Sequence, residues 1–127
     1  MNATPVIAIV DDDPAVRHAI GRLLRAFGLA VELYAGAAEL LASPSLDGID
    51  CVIADVRMPG MNGFALSDAL RARGRRMPVI FMTAFDRQGY VQRAQAAGAA
   101  CLIGKPFEDT EILRCLEQAL GLPGGTR

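Results

Sequence analysis

The sequence predicts an α/β fold, a single doubly wound parallel sheet of five strands with five helices. Three observations carry that expectation. Short, unbroken apolar runs alternate with segments of helical period from one end of the chain to the other. These runs lack the polar alternation of a half-exposed strand, so they read as strands covered on both faces. The segments between them are long enough to return as helices, which makes the units right-handed βαβ crossovers.

Each element follows from its own residues. Val6–Val10 (VIAIV) is the first strand. Pro14 suits a first helical turn, with Asp13 as the cap before it, and Val16, Ile20, Leu23, Leu24 and Phe27 follow at helical spacing until Gly28 stops the helix. Ala30–Tyr34 reads as a second strand, and Ala37–Ala42 as a short helix closed by Ser43-Pro44. A polar loop from Ser45 to Asp50 leads to a third strand, Cys51–Ala54. Phe64–Arg73 is helical and ends at Gly74. Pro78–Met82 is the fourth strand, Arg87–Ala97 a helix of small residues closed by Gly98, and Cys101–Ile103 a short fifth strand. Asp109–Leu120 is the last helix, with Ile112, Leu113, Leu116 and Leu120 along one face. Residues 1–120 form one domain on this reading, and residues 121–127 are a C-terminal tail or the start of a linker.

Composition narrows the class of protein. The 127 residues are 52% hydrophobic and 21% charged, with three cysteines, which excludes a collagen-like, disordered or disulfide-stapled chain. A chain this long buries about two-thirds of its unfolded surface, enough for its own core. No apolar stretch approaches the roughly 20 residues of a membrane span, and no charged n-region precedes a signal core. A net charge of −1 speaks against a nucleic-acid binder. The expectation is a cytoplasmic domain with neither membrane nor nucleic acid among its partners. Of the thirteen basic residues only Lys105 is a lysine, a compact ammonium where every other position has a guanidinium.

The chemistry gathers at the strand ends, where open parallel sheets place their sites. Asp11, Asp12 and Asp13 follow the first strand, Asp55 the third, Thr83 the fourth, and Gly104-Lys105 the fifth. If strands 1, 3, 4 and 5 lie side by side, these groups converge on one pocket. Two unit charges ~4 Å apart repel by roughly 4 kcal/mol at an effective dielectric near 20, so clustered carboxylates call for a cation. An all-oxygen donor set favours Mg²⁺. Zinc is disfavoured, because no cysteine or histidine has ligand spacing and the one histidine, His18, sits in a helix. A carboxylate beside such a cation is a competent nucleophile for phosphoryl transfer, with Lys105 and the Thr83 hydroxyl meeting the phosphoryl oxygens.

At these residues the chain resembles the receiver domains of two-component response regulators, over about residues 5 to 120. The matching motifs are Ile9-Val10-Asp11-Asp12-Asp13, Asp55-Val-Arg-Met-Pro-Gly-Met-Asn-Gly63, Met82-Thr-Ala84 and Lys105-Pro-Phe107. Arg-Met-Pro after the aspartate and Lys-Pro-Phe-Glu-Asp near the end are similar to the nitrogen-fixation type of regulator. The resemblance implies a flavodoxin-like sheet in the order 2-1-3-4-5. It implies Asp55 as phosphoacceptor, Mg²⁺ held by Asp12, Asp55 and the Arg57 carbonyl with Asp11 acting through water, and phosphoryl contacts from Thr83, Lys105 and the Arg57 and Ala84 amides. It also implies a cis Lys105–Pro106 bond that aims Lys105 into the site. A histidine kinase or phosphotransfer protein would donate the phosphoryl group, and the domain would hydrolyse its own phosphoaspartate, with no external substrate. The output would be a switched surface for a partner or a phosphorylation-dependent second copy.

One position departs from the pattern. Receivers usually carry Tyr or Phe three residues before the lysine, where this chain has Leu102, so coupling between Thr83 and that switch position is altered. Phe85 or Tyr90 is the alternative readout. Arg57 and Phe85 flank the approach of hydrolytic water and are expected to shield the phosphoaspartate. Arg17, His18, Gly21, Arg22 and Arg25 read as one basic or solvated face of the first helix. Arg71, Arg73, Arg75 and Arg76 complement a helix C-terminus. Cys51, Cys101 and Cys115 read as small hydrophobes. Competing functions fit less well. A dehalogenase-type phosphatase wants a carboxylate where Arg57 stands, and a flavin carrier would not place three aspartates at a phosphate loop. A degenerate receiver acting as a phosphorylation-independent interaction module is the alternative reading.

Overall fold

This computed structural model describes residues 4–84 and 87–121. Five strands, β1 (Val6–Val10), β2 (Ala30–Tyr34), β3 (Cys51–Asp55), β4 (Val79–Thr83) and β5 (Cys101–Gly104), form one sheet in the order β2-β1-β3-β4-β5. All four pairings are parallel. The helices are α1 (Pro14–Ala26), α2 (Ala37–Leu41), α3 (Gly63–Ala72), α4 (Arg87–Ala96) and α5 (Asp109–Leu120). Among the described residues, no helix is long and apolar enough to cross a membrane.

The unbroken apolar strands divide their side chains between two cores. Ile7, Ile9, Ile53, Ile80, Met82 and Ile103 point to one face and meet Ile20 and Leu24 of α1 and Ile112 and Leu116 of α5. Ala8, Val10, Val52, Ala54 and Phe81 point to the other and meet Leu40 of α2 and Phe64, Leu66 and Leu70 of α3. Successive strand residues face opposite ways, so each core is fed by every second residue. Strands β1, β3 and β4 are almost wholly buried, whereas β2 at one edge is half-buried throughout.

The predicted boundaries hold to within one or two residues. Asp13 caps α1 by accepting from the Ala15 amide at 2.9 Å, with Pro14 at the first helical position. Gly28 follows that helix at φ 84°, a left-handed conformation that suits glycine. Three strands end one residue later than expected and take in Asp55, Thr83 and Gly104, because the parallel ladder continues to those positions; β4 also starts one residue later. Helix α3 starts earlier, since Asn62 caps it by accepting from the Ala65 amide at 2.8 Å. The loop before β3 contains a 3-10 turn, Leu46–Gly48, with Leu46 buried.

Three expectations need correction. Phe27 does not join the core stripe of α1; it lies just past the helix end and is 62% exposed. Gly21 is not on a solvated face: it is buried, and a Cβ there would lie 3.3 Å from Leu33 on β2. Cys101 and Cys115 are not independent small hydrophobes but are joined as a disulfide between β5 and α5, with Cα atoms 6.0 Å apart. Cys51 alone keeps the expected role of a buried free thiol. The arginines near the end of α3 also do more than complement a helix terminus. Arg71 donates to the Ala97 carbonyl, Arg73 to the Leu41 carbonyl at 2.9 Å, and Arg75 pairs with Asp47 at 2.7 Å.

Candidate functional site

The register of the sheet assembles the site. Val10 lies beside Ala54, Asp55 beside Met82, and Thr83 beside Gly104. The residues that end or follow these strands, Asp11, Asp55, Thr83 and Lys105, therefore emerge along one edge. The chain returns close by: the Lys105 amide donates to the Thr83 carbonyl at 2.8 Å, and the Val56 amide to the Met82 carbonyl at 2.8 Å.

Three carboxylates meet there. Oxygen atoms of Asp11, Asp12 and Asp55 lie within 4.8 Å of one another. Asp11 is fully buried and Asp55 nearly so, while Asp12 is exposed. The Lys105 ammonium joins two of them, 2.9 Å from Asp11 Oδ2 and 2.6 Å from Asp55 Oδ2. The remaining oxygens are held by main-chain donors: the Asp13 amide to Asp11 Oδ1 at 2.9 Å, and the Arg57 amide to Asp55 Oδ1 at 3.1 Å. Thr83 is buried beside this group, and Ala84 is exposed just beyond it. The Lys105–Pro106 bond is cis, as the resemblance implies.

The electrostatics of the cluster are unbalanced. Burial pushes the Asp11 carboxyl above its ordinary value; the Asp13 amide and Lys105 oppose that shift, and the Asp55 charge adds to it. Burial works against the charge on Lys105, but hydrogen bonds from its ammonium to Asp55 and Asp11, with their charges, outweigh it and raise its pKa. Three carboxylates gather here and the Lys105 ammonium pairs with two of them, so the all-oxygen donor set fits a hard divalent cation.

A family match decides the identity of this arrangement. Residues 7–117 match the model of the response regulator receiver domain. The chain belongs to that family. This receiver domain is 40% identical over 116 residues to the transcriptional regulatory protein FixJ of Azorhizobium caulinodans, covering 91% of this chain and 54% of FixJ. It is 37% identical over 117 residues to the response regulator TodT of Pseudomonas putida, covering 92% of the chain and 52% of TodT. The chain thus spans about half the length of the curated relatives it matches. Among solved structures, a response regulator receiver protein from Burkholderia phymatum superimposes with a TM-score of 0.83 at 43% identity, covering 94% of this chain and 98% of that one.

Other residues of the receiver domain have distinct placements. Leu102 faces the α4 side of the sheet, half-buried against the core that contains Phe64 and Phe81. Tyr90 packs in the same region, its ring centroid 5.7 Å from that of Phe64, and Phe64 lies 4.7 Å from Phe81. Phe85, proposed from sequence as readout and shield, lies outside the described residues, as does the tail from 122 to 127. Sequence reasoning placed Arg17 on a basic or solvated face of α1 and missed that it donates to the Asp11 carbonyl at 2.6 Å. Its position four residues after the Asp13 cap, on the first turn beside β1, was the available signal. It also gave no role to Gly63, whose hypothetical Cβ would lie 2.6 Å from the Asp55 carbonyl oxygen.

Proposed function

We propose that this receiver domain accepts a phosphoryl group on Asp55 from a phosphohistidine of a histidine kinase or phosphotransfer protein, in the cytoplasm. The observation that carries the reading is the Lys105 ammonium bridging Asp11 and Asp55, with a third carboxylate, Asp12, in the same cluster. An Asp55 carboxylate oxygen attacks phosphorus, the P–N bond to imidazole breaks, and the donor histidine retains the bonding pair. Lys105 then exchanges a carboxylate partner for a phosphoryl oxygen. The Thr83 hydroxyl and the Arg57 and Ala84 amides complete the cradle.

Asp12, Asp55 and the Arg57 carbonyl are the groups that would hold Mg²⁺, with Asp11 behind a water. When bound, the ion supplies charge neutralisation for the acceptor and the phosphoryl oxygens. The domain turns over no external substrate; it later hydrolyses its own acyl phosphate, and Arg57 screens one approach of water. The signal leaves through the face built by α4, β5 and α5, toward a partner or a second copy.

Intact-mass analysis after incubation with acetyl phosphate and Mg²⁺ tests this reading. One added phosphoryl group, absent from Asp55→Asn and from chelated samples, is the expected result. No adduct under conditions where another receiver labels would replace the reading with that of a phosphorylation-independent interaction module.

A further inference from the structure

We propose that Cys101 and Cys115 form a reversible, redox-responsive crosslink that governs how firmly the Lys105 segment and α5 are held. Cys101 opens β5, an edge strand paired only with β4, and Cys115 is one of three buried residues by which α5 seats on the sheet. Their Cα separation of 6.0 Å lies within the span of a disulfide. The covalent loop between them, 14 residues in sequence, contains the stretch Gly104-Lys105-Pro106-Phe107 that presents the ammonium to Asp11 and Asp55. Closing that loop ties the edge strand, the Lys105 segment and the last helix into one unit; opening it leaves α5 held by Ile112, Leu116 and its flanking apolar residues.

The pair is suited to exchange. Cys101 is half-buried and reachable from solvent, whereas Cys115 is 7% exposed and adjacent. A hydroperoxide converts the Cys101 thiolate to a sulfenic acid, its O–O bond breaking as one oxygen passes to sulfur and the other leaves as water or alcohol. The Cys115 thiol then displaces that hydroxyl, the S–S bond forms, and water departs; the two sulfurs have together given two electrons. A cellular dithiol reverses the step and ends as its own disulfide. In a reducing compartment such a bond is a response to oxidant and not a permanent staple. Cys51 provides an internal control, buried in β3 with no sulfur partner, its thiol pushed up to about 12 by burial. The crosslink is independent of the phosphoryl reading, so its test need not involve Asp55.

The experiment equilibrates the folded full chain in dithiothreitol redox buffers, with and without hydrogen peroxide pretreatment. Acid quenching, alkylation and peptide mass analysis then report each cysteine. Cys101 and Cys115 are expected to lose and regain alkylation together as one two-electron couple, with Cys51 unlabelled until the chain is denatured. Amide exchange across residues 101–121 is expected to quicken by about tenfold on reduction. Cys101→Ser and Cys115→Ser should each show the faster exchange at every redox poise; if either fails to fold, the reduced natural chain supplies the same comparison. Failure of the bridge to form under peroxide, resistance of the folded chain's bridge to millimolar dithiothreitol, or equal exchange in both states would each overturn the proposal.

Discussion

Asp11 has no exposed surface, yet its carboxylate sits beside two others and a single ammonium. Its pKa is raised above the ordinary 3.8, chiefly by burial, so the folded chain holds this proton more tightly than the unfolded chain does. The corresponding stabilisation is complete below 3.8 and is lost as pH rises through the folded value. At neutral pH in metal-free buffer, Asp11→Asn is therefore expected to raise Tm by a few degrees, an advantage that vanishes near pH 3.5. Calorimetry across pH checks this, and a lower Tm for the variant at pH 7 would refute it. Lys105 has the opposite role. Its folded pKa lies above the ordinary 10.5, so its stabilisation is full below 10.5 and disappears as pH climbs through the higher folded value. Lys105→Met should cost roughly 2 kcal/mol at pH 7, the scale of charge-assisted hydrogen bonds, and urea titration should show that loss shrinking in strong alkali. Both residues were legible from sequence because they stand at strand ends as charged groups. Arg17 was not read: only its place on the first turn of α1, four residues after the Asp13 cap, hints that it turns back to a main-chain carbonyl.

The turn from β3 into α3 holds Asp55 in place through its backbone. The Gly63 amide donates to the Val56 carbonyl at 2.9 Å, and its α-carbon passes so near the Asp55 carbonyl that a methyl group would collide with main chain. Gly63→Ala should cost about 1–3 kcal/mol and slow labelling of Asp55, because the obstruction cannot rotate away. Replacing Asn62 by Ala removes the α3 cap at a cost of about 1 kcal/mol, whereas Asn62→Asp should keep most of it. Chemical denaturation of the three variants separates these effects. Apolar runs, caps and glycine stops made the elements readable, and the errors have specific causes. Strand ends were set one residue short because Asp55, Thr83 and Gly104 are not the apolar residues that mark a strand, yet the ladder includes them. Phe27 fits the helical period of α1, but the helix stops before reaching it. The cysteine pair was invisible in a pattern of apolar neighbours, since pairing needs the distance between β5 and α5 and not the spacing along the chain.

Across the molecule, the site and the fold draw on the same feature, the alignment of strand ends along one edge of the sheet. A cation bound to that edge in the folded chain alone stabilises it by about 2.7 kcal/mol at a hundredfold excess over its dissociation constant. Millimolar Mg²⁺ should therefore raise Tm for the natural chain and leave Asp12→Asn almost unmoved; an equal rise in both, by scanning calorimetry, would remove Asp12 from the metal set. The candidate pocket residues were readable because a parallel sheet gathers function at its strand ends; the strand order came from the family resemblance, and the two-core packing needed the three-dimensional register. That edge also has a consequence during synthesis. Asp11 emerges from the ribosome 94 residues before the lysine that neutralises it. A chain interrupted anywhere ahead of β5 carries acidic residues with no ammonium to gather them. Translation stopped before Lys105 therefore leaves the acidic edge without the ammonium that bridges Asp11 and Asp55 in the folded chain.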